Sequence, residues 1–184
     1  IHLSTDDVFS HHARQPYNEF EIPTPSTIYG KSKLAGERFV QNLCTRHVIV
    51  RSSWVYGIGR DFVNTILEAA NNPSVTSMEV AENEFASPTS ATELAKVIEQ
   101  LIDNDCLGIY HAVCGGFCSR FEFAQAILKA IHAKDKLTLK PISDSETINY
   151  SVLDNMMLRL ENFTQPISWQ QALKDYIRTT GGNN

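Results

Sequence analysis

No apolar stretch in this sequence approaches the ~20 residues needed to cross a bilayer. No basic, apolar, small-residue leader opens it either. Those absences speak against a membrane partner and make the cytoplasm the expected compartment. Positive charge is scarce: 16 Lys and Arg stand against 21 Asp and Glu, a net charge of −5, which argues against non-specific nucleic-acid binding. Only four cysteines occur in 184 residues (Cys44, Cys106, Cys114, Cys118), too few for a disulfide scaffold. There is no Cys-x-x-Cys pair, so His111, Cys114 and Cys118 lack a suitable fourth ligand, and no metal site is expected. Internal repeats and low-complexity segments are absent. So is anything that looks like a complete nucleotide-binding half. The first residue is Ile1, and Ile1-His2-Leu3-Ser4-Thr5 reads as the inner end of a strand, so the chain is expected to be cut from a longer parent.

What is present describes a globular α/β protein: 42% hydrophobic and 20% charged residues, enough for one ordinary core. Residues 1–9 suggest a strand and a turn. Residues 10–28, with Pro16, Pro23 and Pro25, suggest a loop. From about Ile28 to Arg46 the apolar spacing turns helical, and Val48-Ile49-Val50-Arg51 is a β-branched run that suits a buried strand. Strand, helix, strand is what a parallel sheet requires. Further helices are expected at Phe62–Asn71, after Ser90-Ala91-Thr92-Glu93, after Ser119-Arg120-Phe121-Glu122, and after Ile167-Ser168-Trp169. The two Ser-x-x-Glu runs have capping-box spacing. In the last helix Ala172, Leu173 and Tyr176 should face inward. Strands are expected at Gly108–Val113 and near Lys136–Pro141, and the Gly181–Asn184 tail should fray. The expected division is 1–72, the second half of a Rossmann-type domain, and 73–184, mostly a substrate-binding subdomain.

The chemistry concentrates at Tyr29-Gly30-Lys31-Ser32-Lys33 with Ser4-Thr5-Asp6 upstream. Tyr29 and Lys33 are four apart and share a helix face. A lysine charge there would lower the phenol pKa from about 10 toward working pH. Thr5 could hold a substrate oxygen by its hydroxyl. Together the three could protonate a carbonyl oxygen as hydride reaches its carbon, the site of a dehydrogenase or an epimerase. The bland alternative is that Tyr29 caps the helix and Lys33 is solvated. Trp54 lies beyond a strand's carboxyl end, where α/β sheets bind ligands, and could wall a sugar ring or simply pack in the core. Asp6 and Asp7 could accept from sugar hydroxyls or close an Asx turn. His11, His12 and Arg14 form a small basic patch that could meet a phosphate or be solvated.

Ser4-Thr5-Asp6-Asp7-Val8-Phe9, Pro16-Tyr17-Asn18-Glu19, Pro25 and Tyr29-Gly30-Lys31-Ser32-Lys33-Leu34-Ala35-Gly36-Glu37 together resemble the dTDP-4-dehydrorhamnose reductase family, a branch of the extended short-chain dehydrogenases. The likeness continues through Arg51-Ser52-Ser53-Trp54-Val55-Tyr56-Gly57, Phe85-Ala86-Ser87-Pro88-Thr89, Gly108-Ile109-Tyr110-His111, Cys118–Ala124, Ser151-Val152-Leu153-Asp154 and Trp169-Gln170-Gln171-Ala172-Leu173, nearly the whole chain. The resemblance implies a Rossmann-type parallel sheet with a small α/β substrate subdomain. It implies reduction of a 4-keto group on a nucleotide-linked deoxysugar by NADPH or NADH, with a homodimer left open. Carried over, Tyr29 is the proton donor, Lys33 lowers its pKa and binds nicotinamide ribose, Thr5 holds the carbonyl oxygen, and Trp54 lines the sugar pocket. The family's glycine-rich βαβ unit is absent, so the isolated chain is expected to be inactive. Asp7 replaces a usual tyrosine, Glu84 a glutamine, Ala86 a glycine, and Thr147-Ile148 an arginine-proline pair. Alternatives are an epimerase or a non-enzymatic regulatory relative on the same scaffold.

Overall fold

In a computed structural model, residues 1–143 and 148–180 are described. Thr147 and the Gly181–Asn184 tail lie outside them. The chain opens with β1 (His2–Thr5), and a 3-10 turn at Asp6–Val8 follows. A long loop then leads to α1 (Ile28–Leu43), β2 (Val48–Ser52), β3 (Val55–Tyr56) and α2 (Phe62–Asn71). Next come β4 (Ser77–Ala81), β5 (Glu84–Ala86), β6 (Thr89–Ser90), α3 (Ala91–Asp103), β7 (Gly108–His111), β8 (Cys118–Ser119) and α4 (Arg120–Ala130). The chain closes with β9 (Thr138–Ile142), β10 (Asn149–Tyr150), α5 (Met156–Leu160) and α6 (Trp169–Thr180).

β1, β2 and β7 form a parallel sheet in the order β1-β2-β7, with Thr5 opposite Ser52 and Arg51 opposite His111. Every residue of β2 is buried, which is why the run Val48–Arg51 is apolar without alternation. Arg51 is the exception in type, and it survives by pairing with Glu37 of α1 through two bonds of 2.9 and 2.7 Å, both partners buried. α1 stops at Leu43, three residues before the expected Arg46, because Cys44 turns extended and the chain must straighten for β2. β7 joins this sheet from well beyond residue 72, so α3 and β7 return to the first part of the fold after the chain has left it.

Smaller sheets build the rest. β10, β5 and β8 make one, while β3 pairs with β6 and β4 with β9. These strands of two to five residues carry too little periodicity to be read from sequence, and most were not anticipated. Their core gathers Val63, Ile66, Phe123, Ile127, Leu137, Trp169 and Leu173 from α2, α4, α6 and the neighbouring loops. Ala172 and Leu173 are buried as expected, and Tyr176 is half-buried.

The two Ser-x-x-Glu runs behave differently. At Ser119 the box is reciprocal: Ser119 Oγ accepts from Glu122 N at 3.0 Å, and Glu122 accepts from Ser119 N at 2.8 Å. At Ser90 only the serine caps, accepting from Glu93 N at 3.2 Å. The Glu93 carboxylate instead accepts from Lys96 Nζ and from Ile167 N, tying α3 to the approach to α6.

Candidate functional site

The C-terminal ends of β1 and β2, the 3-10 turn and the N-terminus of α1 come together. Thr27 caps α1 by accepting from Gly30 N at 2.9 Å, which starts the helix just before Tyr29. Gly30 is required by contact: a Cβ there would sit 1.9 Å from the Asp7 carbonyl oxygen. That close approach sets the first turn of α1 against the Asp6–Val8 turn and brings Tyr29 to Thr5. The Thr5 hydroxyl is near enough to act on the Tyr29 phenol, drawing its pKa slightly down. Thr5 is buried, while Tyr29 is 56% exposed.

The phenol of Tyr29 is held above its ordinary range, first by partial burial and then by the negative charges of Asp7 and Asp6. This corrects the expectation that Lys33 lowers it. Lys33 Nζ instead donates to the Leu3 carbonyl oxygen of β1 at 2.6 Å. An ammonium committed to a backbone carbonyl leaves the two nearby carboxylates as the dominant charges on the phenol.

Asp6 is also placed differently from expectation. Its carboxylate is buried and accepts from Thr5 Oγ1 (3.0 Å), Ser53 Oγ (2.7 Å) and Ser151 Oγ (2.6 Å). Both oxygens are occupied by the protein, so Asp6 does not face a sugar. Burial raises its pKa and the three hydroxyls oppose that. Asp7 stays partly exposed beside Tyr29 and pairs with His11 at 3.1 Å. His11 is therefore folded back onto its own loop, and only His12 and Arg14 of the basic patch stay exposed.

Trp54 follows β2 in a left-handed conformation, φ 42°, uncommon for a bulky residue. The Arg120 guanidinium lies 3.6 Å over its ring and 4.9 Å over Phe62, and reaches Glu84 at 3.7 Å. The sequence named Trp54 and noted Glu84, but nothing in it pointed to Arg120. Ser53 and Ser151 were missed as site residues for the same reason: their partner is 47 and 145 residues away.

His111, Cys114 and Cys118 form no metal centre. His111 Nδ1 lies 3.1 Å from both the Tyr17 and Asp154 carbonyl oxygens, and its pKa is pushed down to about 3, by burial first and then by Arg51. Burial pushes Cys114 up to about 11 and Cys118 to about 12. Among the described residues no group of three or more His, Cys, Asp or Glu side chains could hold a metal ion.

The parallel β1-β2-β7 sheet, with hydroxyl, phenol and amine side chains at one end of β1, marks an α/β protein of Rossmann type. The chain belongs to the RmlD substrate binding domain family, whose family model matches residues 1–181. It is 35% identical over 185 residues to the spore coat polysaccharide biosynthesis protein SpsK of Bacillus subtilis, covering 97% of this chain and 63% of that protein. It is 32% identical over 190 residues to dTDP-4-dehydrorhamnose reductase of Escherichia coli K12, covering 95% and 63%. The crystal structure of dTDP-4-dehydrorhamnose reductase from Bacillus anthracis in complex with NADP superposes with a TM-score of 0.90 at 36% identity, covering 97% of this chain and 64% of that one. The chain thus spans less than two thirds of the length of these relatives.

Proposed function

We propose that the parent protein reduces the 4-keto group of a nucleotide-linked deoxysugar with NADPH or NADH, most like dTDP-4-dehydrorhamnose reductase. The observation that carries this is the close approach of the first turn of α1, with Tyr29 and Lys33, to the end of β1 at Leu3–Asp7, in a chain of this family. The names of the relatives and the bound NADP of the Bacillus anthracis structure support the substrate class and the cofactor. In this reading Tyr29 gives its proton to the carbonyl oxygen as hydride reaches the carbon, and Thr5 sits beside that oxygen. Lys33 leaves Leu3 to meet the nicotinamide ribose, and the cofactor supplies the hydride. Trp54, fixed under Arg120, and the partly exposed Asp7 border the sugar.

Residues 1–72 supply the second half of the Rossmann-type domain. Residues 73–184 mostly form the substrate-binding subdomain, with α3 and β7 returning to the sheet. A cytoplasmic enzyme, working as a homodimer, belongs to the same reading. Among the described residues no helix is long and apolar enough to cross a membrane.

The test is to incubate the full-length protein with a dTDP-4-keto-6-deoxysugar and NADPH or NADH, following cofactor oxidation and product together. One cofactor oxidised per alcohol formed is expected. Isomerised ketone without cofactor consumption would replace this reading with an epimerase. Calorimetry on residues 1–184 alone should show no micromolar binding of NADPH.

A further inference from the structure

Arg120, the first residue of α4, is a cation whose charge is poorly matched. Its side chain is only 24% exposed. Among the described residues Glu84 alone brings a carboxylate within 4 Å of it, at 3.7 Å, too long for a hydrogen bond, and that carboxylate is itself 40% exposed. Burial works against the guanidinium first, and the charge of Glu84 offsets this only in part. What holds Arg120 is aromatic: its guanidinium lies 3.6 Å over the Trp54 ring and 4.9 Å over Phe62. Both rings stack in turn on the buried Phe123, at 6.4 and 5.9 Å, so the bed is anchored in the core. A guanidinium that close to a ring lies flat on it, and its N–H groups point outward around its rim.

The rim belongs to the ligand end of the sheet. Trp54 follows Ser53, whose hydroxyl donates to Asp6 at 2.7 Å. Glu84 precedes Phe85, whose carbonyl oxygen accepts from Ser151 N at 2.9 Å, and Ser151 Oγ donates to the same Asp6 at 2.6 Å. Both partners of Arg120 are thus one residue removed from the contacts that gather the end of β1, where Thr5 lies. Ligands of parallel sheets bind beyond these carboxyl ends. Asp6, Asp7 and Glu84 make this end unfavourable for an anion. Lys33 donates to Leu3 and Arg51 is buried against Glu37, so neither offsets them. Arg120 does, with a planar fork that suits two oxygens of a phosphate at once.

We propose that Arg120 binds the diphosphate of the nucleotide-linked sugar, with Glu84 as the resting partner that the diphosphate displaces. This deepens the reductase reading above and rests on it. A dinucleotide cofactor carries a diphosphate too, but α4 lies in the part of the chain assigned to the substrate, and Trp54 beneath Arg120 borders the sugar. In the substrate the diphosphate hangs on C1, across the ring from the C4 carbonyl. The contact is therefore the same before and during hydride transfer, and it governs binding rather than the chemical step.

The experiment compares the full-length wild type with Arg120→Met and Arg120→Lys, reading the affinities of dTDP, of thymidine and of NADPH, together with kcat and KM. Arg120→Met should weaken dTDP by about ten- to a hundredfold, the worth of a charged hydrogen-bonded contact. Arg120→Lys, which keeps the charge and loses the fork, should fall between the two. Thymidine, which lacks the diphosphate, and NADPH should each change less than about threefold, and KM for the ketosugar should rise far more than kcat falls. Equal dTDP affinity in all three proteins, or an equal loss for thymidine or NADPH, overturns the proposal and leaves the reductase reading intact. A wild type that does not bind dTDP overturns it as well. Failure to oxidise NADPH or NADH with a 4-ketosugar, in addition, takes the reductase reading with it. If Arg120→Met does not fold, Glu84→Gln replaces it. Removing the competing carboxylate should tighten dTDP by about twofold or more, and unchanged or weaker binding overturns the proposal.

Discussion

Lys33 Nζ donates to the carbonyl oxygen of Leu3 at 2.6 Å, tying the second turn of α1 to strand β1 thirty residues earlier. The ammonium that sequence spacing assigns to Tyr29 is thus held by backbone, and the phenol answers to its carboxylate neighbours instead.

It follows that Tyr29 in the cofactor-free protein titrates above the ordinary phenol range, because burial and the charges of Asp7 and Asp6 disfavour phenolate. Difference absorbance between wild type and Tyr29→Phe isolates this group. Lys33→Met should leave its midpoint unmoved. A fall of the wild-type midpoint below 10 would contradict the geometry.

Tyr29→Phe in the full-length protein should lower turnover by about 10²- to 10⁴-fold, the usual worth of a positioned general acid. Cofactor affinity should change little, because only the phenolic oxygen is lost. Steady-state rates together with fluorescence titration of NADPH check both halves of the expectation.

Gly30→Ala should push α1 away from the 3-10 turn, since its Cβ would meet the Asp7 carbonyl oxygen at 1.9 Å. A stability loss of roughly 1–3 kcal/mol is expected from such overpacking. Turnover should fall further, because Tyr29 leaves Thr5. Urea unfolding and kcat, measured on the same variant, separate the two effects.

Arg120→Met should release Trp54, whose ring carries the guanidinium at 3.6 Å. The stability cost should be about 0.5–2 kcal/mol, the range for a cation over an aromatic face. Trp54 emission should shift to the red. Trp169 is buried in the same core that Trp54 packs against, so the measurement is made in a Trp169→Phe background that leaves Trp54 as the emitter. An unchanged spectrum would show that the stack does not hold Trp54.

His111 makes the fold sensitive to acid. Its native pKa is pushed down to about 3 by burial and by Arg51, while an unfolded histidine titrates near 6.5. Between those values the unfolded chain binds a proton that the native one refuses. Stability is therefore complete above about pH 6.5 and falls as pH drops, with a slope approaching about 1.4 kcal/mol per pH unit. Denaturant titrations from pH 7 to 4 measure the slope. His111→Gln should reduce it.

Much of the frame was readable because its causes are local. The β-branched run Val48–Arg51 is β2 with one residue more. Phe62–Asn71 is α2 from end to end, started by Asp61 accepting from Asn64 N at 2.9 Å. The Ser119 box needs nothing beyond four consecutive residues. The short strands β3, β6, β8 and β10, two residues each, were not legible, since a pairing that brief draws its existence from its partner rather than from its own composition.

Sequence alone determined which chemical groups this protein has and where along the chain they lie: Thr5 at a strand end, Tyr29 and Lys33 one helical turn apart, Trp54 beyond the next strand. Only the tertiary structure decided what those groups face. It turned Asp6 inward to three hydroxyls, gave Lys33 to Leu3, took Glu93 from its own cap for Ile167, and laid Arg120 over Trp54. Caps and periodicity act within a few residues. The partner of a polar side chain is chosen among all groups that folding desolvates beside it, and most of those lie far away in sequence.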